Sequence, residues 1–134
     1  MVSGNINTEL NEGAVSVQGD QKKMVLAACD REDGFGSCDI YFSSSSAGVW
    51  SKAKNIGLEI NTSQWETQPC LSADGQYLFF VRDAKKRGSN SNIWMSRWDG
   101  KTWSRAKMLP VEINGSGDEF SPFLHADGKT LYFA

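Results

Sequence analysis

Apolar residues occur along the chain in short runs that are separated by polar, glycine-containing turns. No stretch keeps a sustained apolar period of 3.6 residues, so almost no helix is expected. Runs rich in large and β-branched residues, bounded by turn residues, indicate β-strands. In the middle of the chain they predict four strands, at Thr67 to Ser72, Tyr77 to Arg82, Asn92 to Arg97 and Thr102 to Lys107. The pattern therefore predicts an all-β protein.

Two of the turns between these strands carry an aspartate followed by a glycine, at Asp74-Gly75 and at Asp99-Gly100. Glycine supplies the positive φ that a two-residue hairpin turn needs, so tight hairpins are predicted at both places. An earlier turn has Gln21 at the glycine position, which weakens the prediction of a type I′ turn there.

The chain also repeats itself. The segment 61–81, which begins NTSQWETQPCLSADGQYLFF, matches the segment 114–134, NGSGDEFSPFLHADGKTLYFA, with ten identities in 21 aligned positions. A weaker copy, NTELNEGAVSVQGDQKKMVL, occupies residues 7–26. Self-similarity at a period of about 50 residues is typical of propellers, solenoids and repeat arrays.

The repeat divides the chain into two full units, 7–60 and 61–113, and a partial third unit, 114–134. Three glutamates, Glu12, Glu66 and Glu119, keep the register at spacings of 54 and 53 residues. The first unit matches the second, with predicted strands near 23–28 and 39–43.

Four antiparallel strands in each unit predict blades of a β-propeller. The strands alone also fit a sandwich or a small barrel, but neither requires similarity between units. About two and a half blades do not close a ring of four to eight. We therefore expect a fragment of a longer propeller, or a piece that other chains complete. An open third unit exposes a strand edge that invites association with another chain.

Composition places the chain among globular proteins, with 40% hydrophobic and 11% aromatic residues. A net charge of −2 and a pI near 5.4 give no electrostatic footprint for nucleic acid or an anionic membrane. No apolar stretch is long enough for a membrane span. The first residues show no signal peptide.

The repeated residues resemble a known family, the WD40-like, TolB-type β-propeller repeat. The main matching motif is E-x-x-P-x-L-S-x-D-G-x-x-L-x-F, from Glu66 to Phe80 and again from Glu119 to Phe133, with His125 at the serine position. The other matches are the D-I-Y-type strand at 39–41 and 92–94, the W-S-x-A motif at 50–53 and 103–106, and the I-N-T junction.

This resemblance implies a non-enzymatic module that binds proteins or envelope components, in the periplasm or at the outer membrane. The repeat motifs are similar to those of Bacteroidetes envelope proteins that also carry tetratricopeptide repeats and an OmpA-type peptidoglycan-binding domain. Other propeller chains, or the remaining blades of a parent protein, are the further partners it implies. It supplies no catalytic residue and no cofactor. The alternative is the propeller of a glycan-active enzyme or of a peptidase that it gates.

Glu12, Glu66 and Glu119 precede the first strand of each unit, which in a propeller lines the central channel. We interpret them first as structural hydrogen-bonding groups. Ligand or cation binding is the alternative, and acid/base catalysis is disfavoured because equivalent positions do not separate two pKa values.

Two tryptophans, Trp65 and Trp98, have no aromatic counterpart in the first unit, where Asn11 and Ser45 occupy their positions. They are the better candidates for a binding face. The other three tryptophans, Trp50, Trp94 and Trp103, occur at repeated aromatic positions and are interpreted as packing between blades.

Cys29 ends one predicted strand and Cys38 begins the next, so the hairpin brings them together. We predict a disulfide between them, which closes a short loop and stabilises by roughly 2 to 3 kcal/mol on the chain-entropy account. Cys70 is interpreted as a buried small apolar residue.

His125 stands beside a turn at the position of Ser72 and is interpreted as structural rather than as a general base. The acidic, glycine-rich loop from Asp30 to Asp39 lacks the spacing of a calcium-binding loop, and Lys85, Lys86 and Arg87 occupy the corresponding loop of the second unit. No metal site is therefore predicted.

Overall fold

A computed structural model of the protein describes residues 5–83 and 90–134, and in these ranges it contains β-strands and no helix. The loop residues 85 to 87 lie outside the described ranges. The strands are β1 (Glu12–Val17), β2 (Lys23–Cys29), β3 (Cys38–Ser46), β4 (Val49–Trp50), β5 (Lys54–Asn55), β6 (Trp65–Leu71), β7 (Tyr77–Asp83), β8 (Ser91–Arg97), β9 (Lys107–Met108), β10 (Phe123–Leu124) and β11 (Leu131–Tyr132).

The strands form consecutive antiparallel meanders. The first contains β1, β2 and β3, with the short strands β4 and β5 both paired to β3. The second contains β6, β7, β8 and β9, and β10 pairs with β11 in a separate hairpin. Between the first two meanders the only strand pairing in the described part is a single parallel contact of Cys38 with Trp65. The sheets are open, and the prediction of all-β propeller blades is confirmed.

The central strand of each meander is buried on both faces, because it packs against a neighbouring meander or loop on either side. Alternate residues of β2 point in opposite directions, so Val25 and Ala27 belong to one apolar cluster and Met24 and Leu26 to another. The first cluster joins the two full meanders; its buried members are Val25, Ala27, Ile40, Ile60, Leu71, Leu78, Phe80 and Ala106.

The opposite face of β7 makes a third cluster. Phe79 packs there with Cys70 and Ile93, and Leu124 and Leu131 of the last hairpin lie against them. The partial third unit is therefore held to the second unit by the same kind of apolar contact that joins the first two.

The predicted fourth strand of the second unit, Thr102 to Lys107, is wrong in extent, since only Lys107–Met108 is a strand. Trp103 forms an isolated bridge with Trp98 instead. Ser104 then bonds through its side chain and carbonyl: the Ser96 hydroxyl donates to the Ser104 carbonyl, and the Arg97 N–H donates to Ser104 Oγ at 3.0 Å. These bonds replace a regular ladder, which the strand propensity of the segment does not reveal.

The two-residue turn predicted at Asp74-Gly75 is also wrong. Only Gly75 has a positive φ, 69°, whereas a type I′ turn needs two such residues. The Gly75 N–H donates to the Ser72 carbonyl and the Ser72 N–H donates to the Tyr77 carbonyl, so the loop is longer. At the earlier turn Gln21 itself adopts φ 58° and takes the place of the glycine.

The first strand of each unit carries a feature that the sequence did not predict. Ala14, Gln68 and Ser121 have φ values of 40°, 49° and 53°, and they stand at equivalent positions of the three units. The strand register shifts at the first two of these positions, which identifies β-bulges in β1 and β6.

Two buried asparagines at the repeat junctions hold the ends of the third strands. Asn61 accepts the Ile40 N–H at 2.8 Å and donates to the Ile40 carbonyl at 2.8 Å. Asn114 makes the same pair of bonds with Ile93, at 2.7 and 2.9 Å. Each asparagine side chain thus makes the pair of hydrogen bonds that the backbone of a neighbouring strand would make.

The disulfide prediction is confirmed. Cys29 and Cys38 stand directly opposite each other on β2 and β3 and are bonded. Cys70 is free and buried, and its sulfur accepts the Leu124 N–H at 3.3 Å.

Candidate binding site

The three repeated glutamates lie at the start of their units, where two of them are engaged internally. The carboxylate of Glu66, which is fully buried, accepts the backbone N–H of Thr62 at 3.2 Å and its hydroxyl at 2.6 Å. Arg82 Nε donates to it at 2.8 Å, and the same guanidinium donates to the Ile60 carbonyl at 2.6 Å. The carboxylate therefore ties the unit junction to β7.

Glu12 repeats this arrangement with a different arginine. Thr8 donates to its carboxylate from backbone and hydroxyl, and Arg31 Nη2 lies 2.8 Å from Glu12 Oε1 and 3.3 Å from the Ile6 carbonyl. The Arg31 guanidinium covers the ring of Tyr41 at 4.5 Å. In the second unit Arg82 covers the Trp94 ring at 4.0 Å in the same way.

Burial acts on the pKa of these groups in the same direction but with different outcomes. Burial raises the pKa of Glu66, and the bonds from Thr62 and Arg82 only partly oppose it. For Glu12 burial also acts to raise the pKa, but the bonds from Thr8 and Arg31 together outweigh it, so the pKa is lowered.

Glu119 differs from the other two. Gly115 stands at the position equivalent to Thr62 and has no hydroxyl group. It donates only its backbone N–H, which lies 3.0 Å from Glu119 Oε1. Glu119 Oε2 is buried and has no hydrogen-bond partner among the described residues. A ligand role for the three glutamates remains a prediction, and the first two have their oxygens committed to the scaffold.

The structure separates the two tryptophans that were predicted as a binding face. Trp65 begins β6, opposite Asp83, at the end where the glutamates lie. Trp98 follows β8 at the other end of the same unit, where its backbone N–H donates to the Gln76 carbonyl at 2.7 Å. They do not lie on one face.

Trp98 lies instead in a pocket of about 470 Å³ between the first and second units. Its ring packs against Trp103, with centroids 5.4 Å apart and planes inclined by 55°. The turn between them is fixed by Asp99, whose carboxylate accepts the N–H groups of Lys101 and Thr102. These bonds lower the pKa of Asp99.

The first unit also contributes to the pocket lining. Phe42 and Leu58 contribute apolar side chains that are 38% and 70% exposed. Lys23 extends its ammonium over the Trp98 ring, 5.0 Å from the centroid. Lys101 and Glu59 are the other charged groups of the lining, so cations outnumber anions two to one.

The residues that give this pocket its chemistry differ between units. Trp98 corresponds to Ser45, Lys101 to Gly48, and Lys23 to Tyr77. A side chain that every blade needs for packing is expected to recur, and these do not. The pocket is thus specific to one junction of the repeat.

His125 forms no catalytic arrangement in the described part of the chain. Its Nδ1 lies 3.2 Å from Asp127 Oδ2 and accepts the Asp127 N–H, and no nucleophilic side chain hydrogen-bonds to the ring there. Both side chains are about half exposed.

The acidic loop of the first unit is also engaged internally. Asp39 accepts the N–H groups of Phe35 and Gly36, and Asp33 accepts the Tyr41 hydroxyl at 2.8 Å. Burial, and then this bond, raise the pKa of Tyr41 to about 12. Within residues 5–83 and 90–134 no group of three or more His, Cys, Asp or Glu side chains is placed to hold a metal ion.

No family model and no curated protein matches this chain. Among solved structures it is similar to TolB from Acinetobacter baumannii, with a TM-score of 0.61 and 23% sequence identity. The match covers 95% of this chain and 27% of the TolB chain. The fold is that of TolB-like propeller blades.

The repeat accounts for the scaffold residues but not for the pocket. Sequence reasoning found Trp98, by its departure from the repeat, and missed Lys23, Phe42 and Leu58. Comparison of Lys23 with Tyr77 gives the same kind of signal, whereas Phe42 and Leu58 correspond to the apolar Met95 and Val111 and give none. No helix in the described ranges is long and apolar enough to cross a membrane.

Proposed function

We propose that this chain is a non-enzymatic binding and scaffold module of a bacterial cell-envelope protein, acting in the periplasm or at the outer membrane. The observation that carries the proposal is the use of the repeated polar side chains. Glu12, Glu66, Asn61 and Asn114 are bonded within the scaffold, so the repeat encodes structure.

Several residues that differ between units, among them Lys23, Trp98 and Lys101, line the pocket. Rigid repeats with variable exposed residues are typical of proteins that recognise other macromolecules. The similarity to TolB supports the fold on which the proposal rests, and the envelope location follows from the resemblance of the repeat motif. Association with an OmpA-type peptidoglycan-binding domain belongs to the same proposal.

The test is capture of partners by the immobilised chain from an envelope extract and, separately, from a cytosolic extract of the source bacterium. We expect a defined envelope protein or peptidoglycan fragment to bind saturably and to bind again when purified. Phe35→Ser and Val111→Ser alter exposed apolar residues, 45% and 76% exposed, and report which surface is used. Retention of cytosolic proteins alone would contradict the proposal.

The enzymatic alternative is tested beside it with panels of glycosides and peptides. We expect no turnover above the buffer rate. Robust turnover that His125→Ala abolishes, in a variant that still folds, would overturn the non-enzymatic assignment.

A further inference from the structure

We propose that the pocket between Trp98 and Phe42 is a binding site for a small organic anion with a flat apolar body, such as an aromatic carboxylate or sulfonate. This inference goes beyond the proposed function, because it holds whichever macromolecule the module binds.

The volume of the pocket fits a ligand of this size. At about 470 Å³ it lies within the range of small-molecule sites. Its walls are mainly apolar and aromatic, with two inclined indoles from the second unit and Phe42 and Leu58 from the first. Indole and phenyl faces favour a flat apolar group, which can stack or pack edge-on against them.

The charge of the pocket favours an anion. Neither Lys23 nor Lys101 forms a salt bridge in the described part of the chain, where the ion pairs are Arg31–Glu12, Arg82–Glu66 and His125–Asp127. The ammonium of Lys23 is instead held over the Trp98 ring by the attraction of a cation for the π face. It thus lies at the pocket wall, and no carboxylate among the described residues forms a salt bridge with it.

Glu59 is the single acidic side chain of the lining and is exposed to solvent. A ligand anion placed beside the lysines therefore meets a net positive wall, whereas a cation would meet two ammonium groups. The two lysines set the sign of the ligand and the tryptophans set its shape.

The site depends on residues that the repeat does not require. Trp98 corresponds to Ser45, so Trp98→Ser gives the second unit the serine that the first unit has at the equivalent position. Lys23→Met removes the charge and keeps an unbranched apolar stem. Lys52→Met, at an exposed lysine outside the pocket, is the matched control.

The experiment titrates the full 134-residue chain with two fluorescent probes, 1-anilinonaphthalene-8-sulfonate and its uncharged analogue N-phenyl-1-naphthylamine. We expect saturable binding of the sulfonate at one site per chain. Lys23→Met should weaken it about fivefold, since an exposed charge pair is worth up to about 1 kcal/mol, and should leave the neutral probe within about twofold. Trp98→Ser should weaken both probes about tenfold or more through lost stacking area.

Circular dichroism and urea unfolding of each variant establish that the fold persists, and Lys23→Met keeps the test decisive if Trp98→Ser does not fold. Equal loss of both probes in Lys23→Met would overturn the anion preference. Unchanged binding in Trp98→Ser, or equal effects of Lys52→Met and Lys23→Met, would overturn the site.

Discussion

Arg31 and Arg82 bring their guanidinium groups to the same place in successive units, although they stand at different positions of the repeat. Each lies 2.8 Å from the Oε1 atom of its unit's glutamate, bonds to the carbonyl of the preceding isoleucine, and covers an aromatic ring. Arg82 corresponds to Ala28 by the repeat spacing, so the arginine of the first unit comes instead from the loop that the Cys29–Cys38 disulfide closes. What the two units share is the position of the charge.

The first prediction concerns the Glu66–Arg82 ion pair. Arg82→Met leaves the fully buried Glu66 carboxylate without its counter-ion, and we expect the free energy of unfolding to fall by about 3 to 5 kcal/mol. Urea unfolding measures it, with the exposed Arg105→Met as control, for which a change within about 0.5 kcal/mol is expected.

Replacing both members of the pair tests the reason for that loss. In Glu66→Met/Arg82→Met no charge is left buried alone, so the double variant should be more stable than Arg82→Met. A double variant that loses the sum of the two single effects would show that the ion pair is not the cause.

Glu12 predicts a pH dependence. Its pKa in the folded chain lies below the ordinary value of 4.5, so its stabilising contribution is present above pH 4.5. That contribution is lost as the pH falls through the folded-state pKa. Glu12→Gln should flatten the decline of the unfolding free energy below pH 4.5, measured by urea unfolding at a series of pH values. Glu112→Gln, at an exposed position, should leave the decline unchanged.

A further prediction concerns the loss of unfolding free energy when the hydrogen bonds from Asn61 to the end of β3 are removed. Asn61→Ala leaves the buried Ile40 N–H without its partner and removes one of two donors to the Ile40 carbonyl, which also accepts the Ile56 N–H. We expect a loss of about 1 to 3 kcal/mol in the free energy of unfolding. Asn11→Ala, an exposed asparagine, provides the comparison; similar losses at both sites would refute the role of the clamp.

The disulfide predicts a thiol count. Titration under denaturing, non-reducing conditions should find one free thiol, that of Cys70, and three after reduction. Cys29→Ala/Cys38→Ala should be less stable by about 2 to 3 kcal/mol on the chain-entropy account, and a reductant should have no further effect on it. Three thiols before reduction would contradict the bond.

The amino-acid sequence by itself determined the strands at the centre of each unit, the β-propeller fold class and the Cys29–Cys38 pairing. The strands and the pairing depend on local order, because apolar runs set strands such as β2 and β7 and a hairpin brings its two ends together. The fold class depends on the repeat. The unit boundaries at 60 and 113 and the ligand roles of Trp65, Trp98 and the three glutamates remain predictions.

Only the tertiary structure decided which arginine neutralises Glu12. It also decided that hydrogen bonds to Ser104 take the place of a regular strand ladder, and that Trp98 and Trp65 lie at opposite ends of their unit. It also joined Lys23 and Phe42 to Trp98, residues that lie more than fifty positions apart in the chain. The physical reason is that a strand pattern fixes which side of a strand a residue faces. The packing of one unit against the next decides what it meets there.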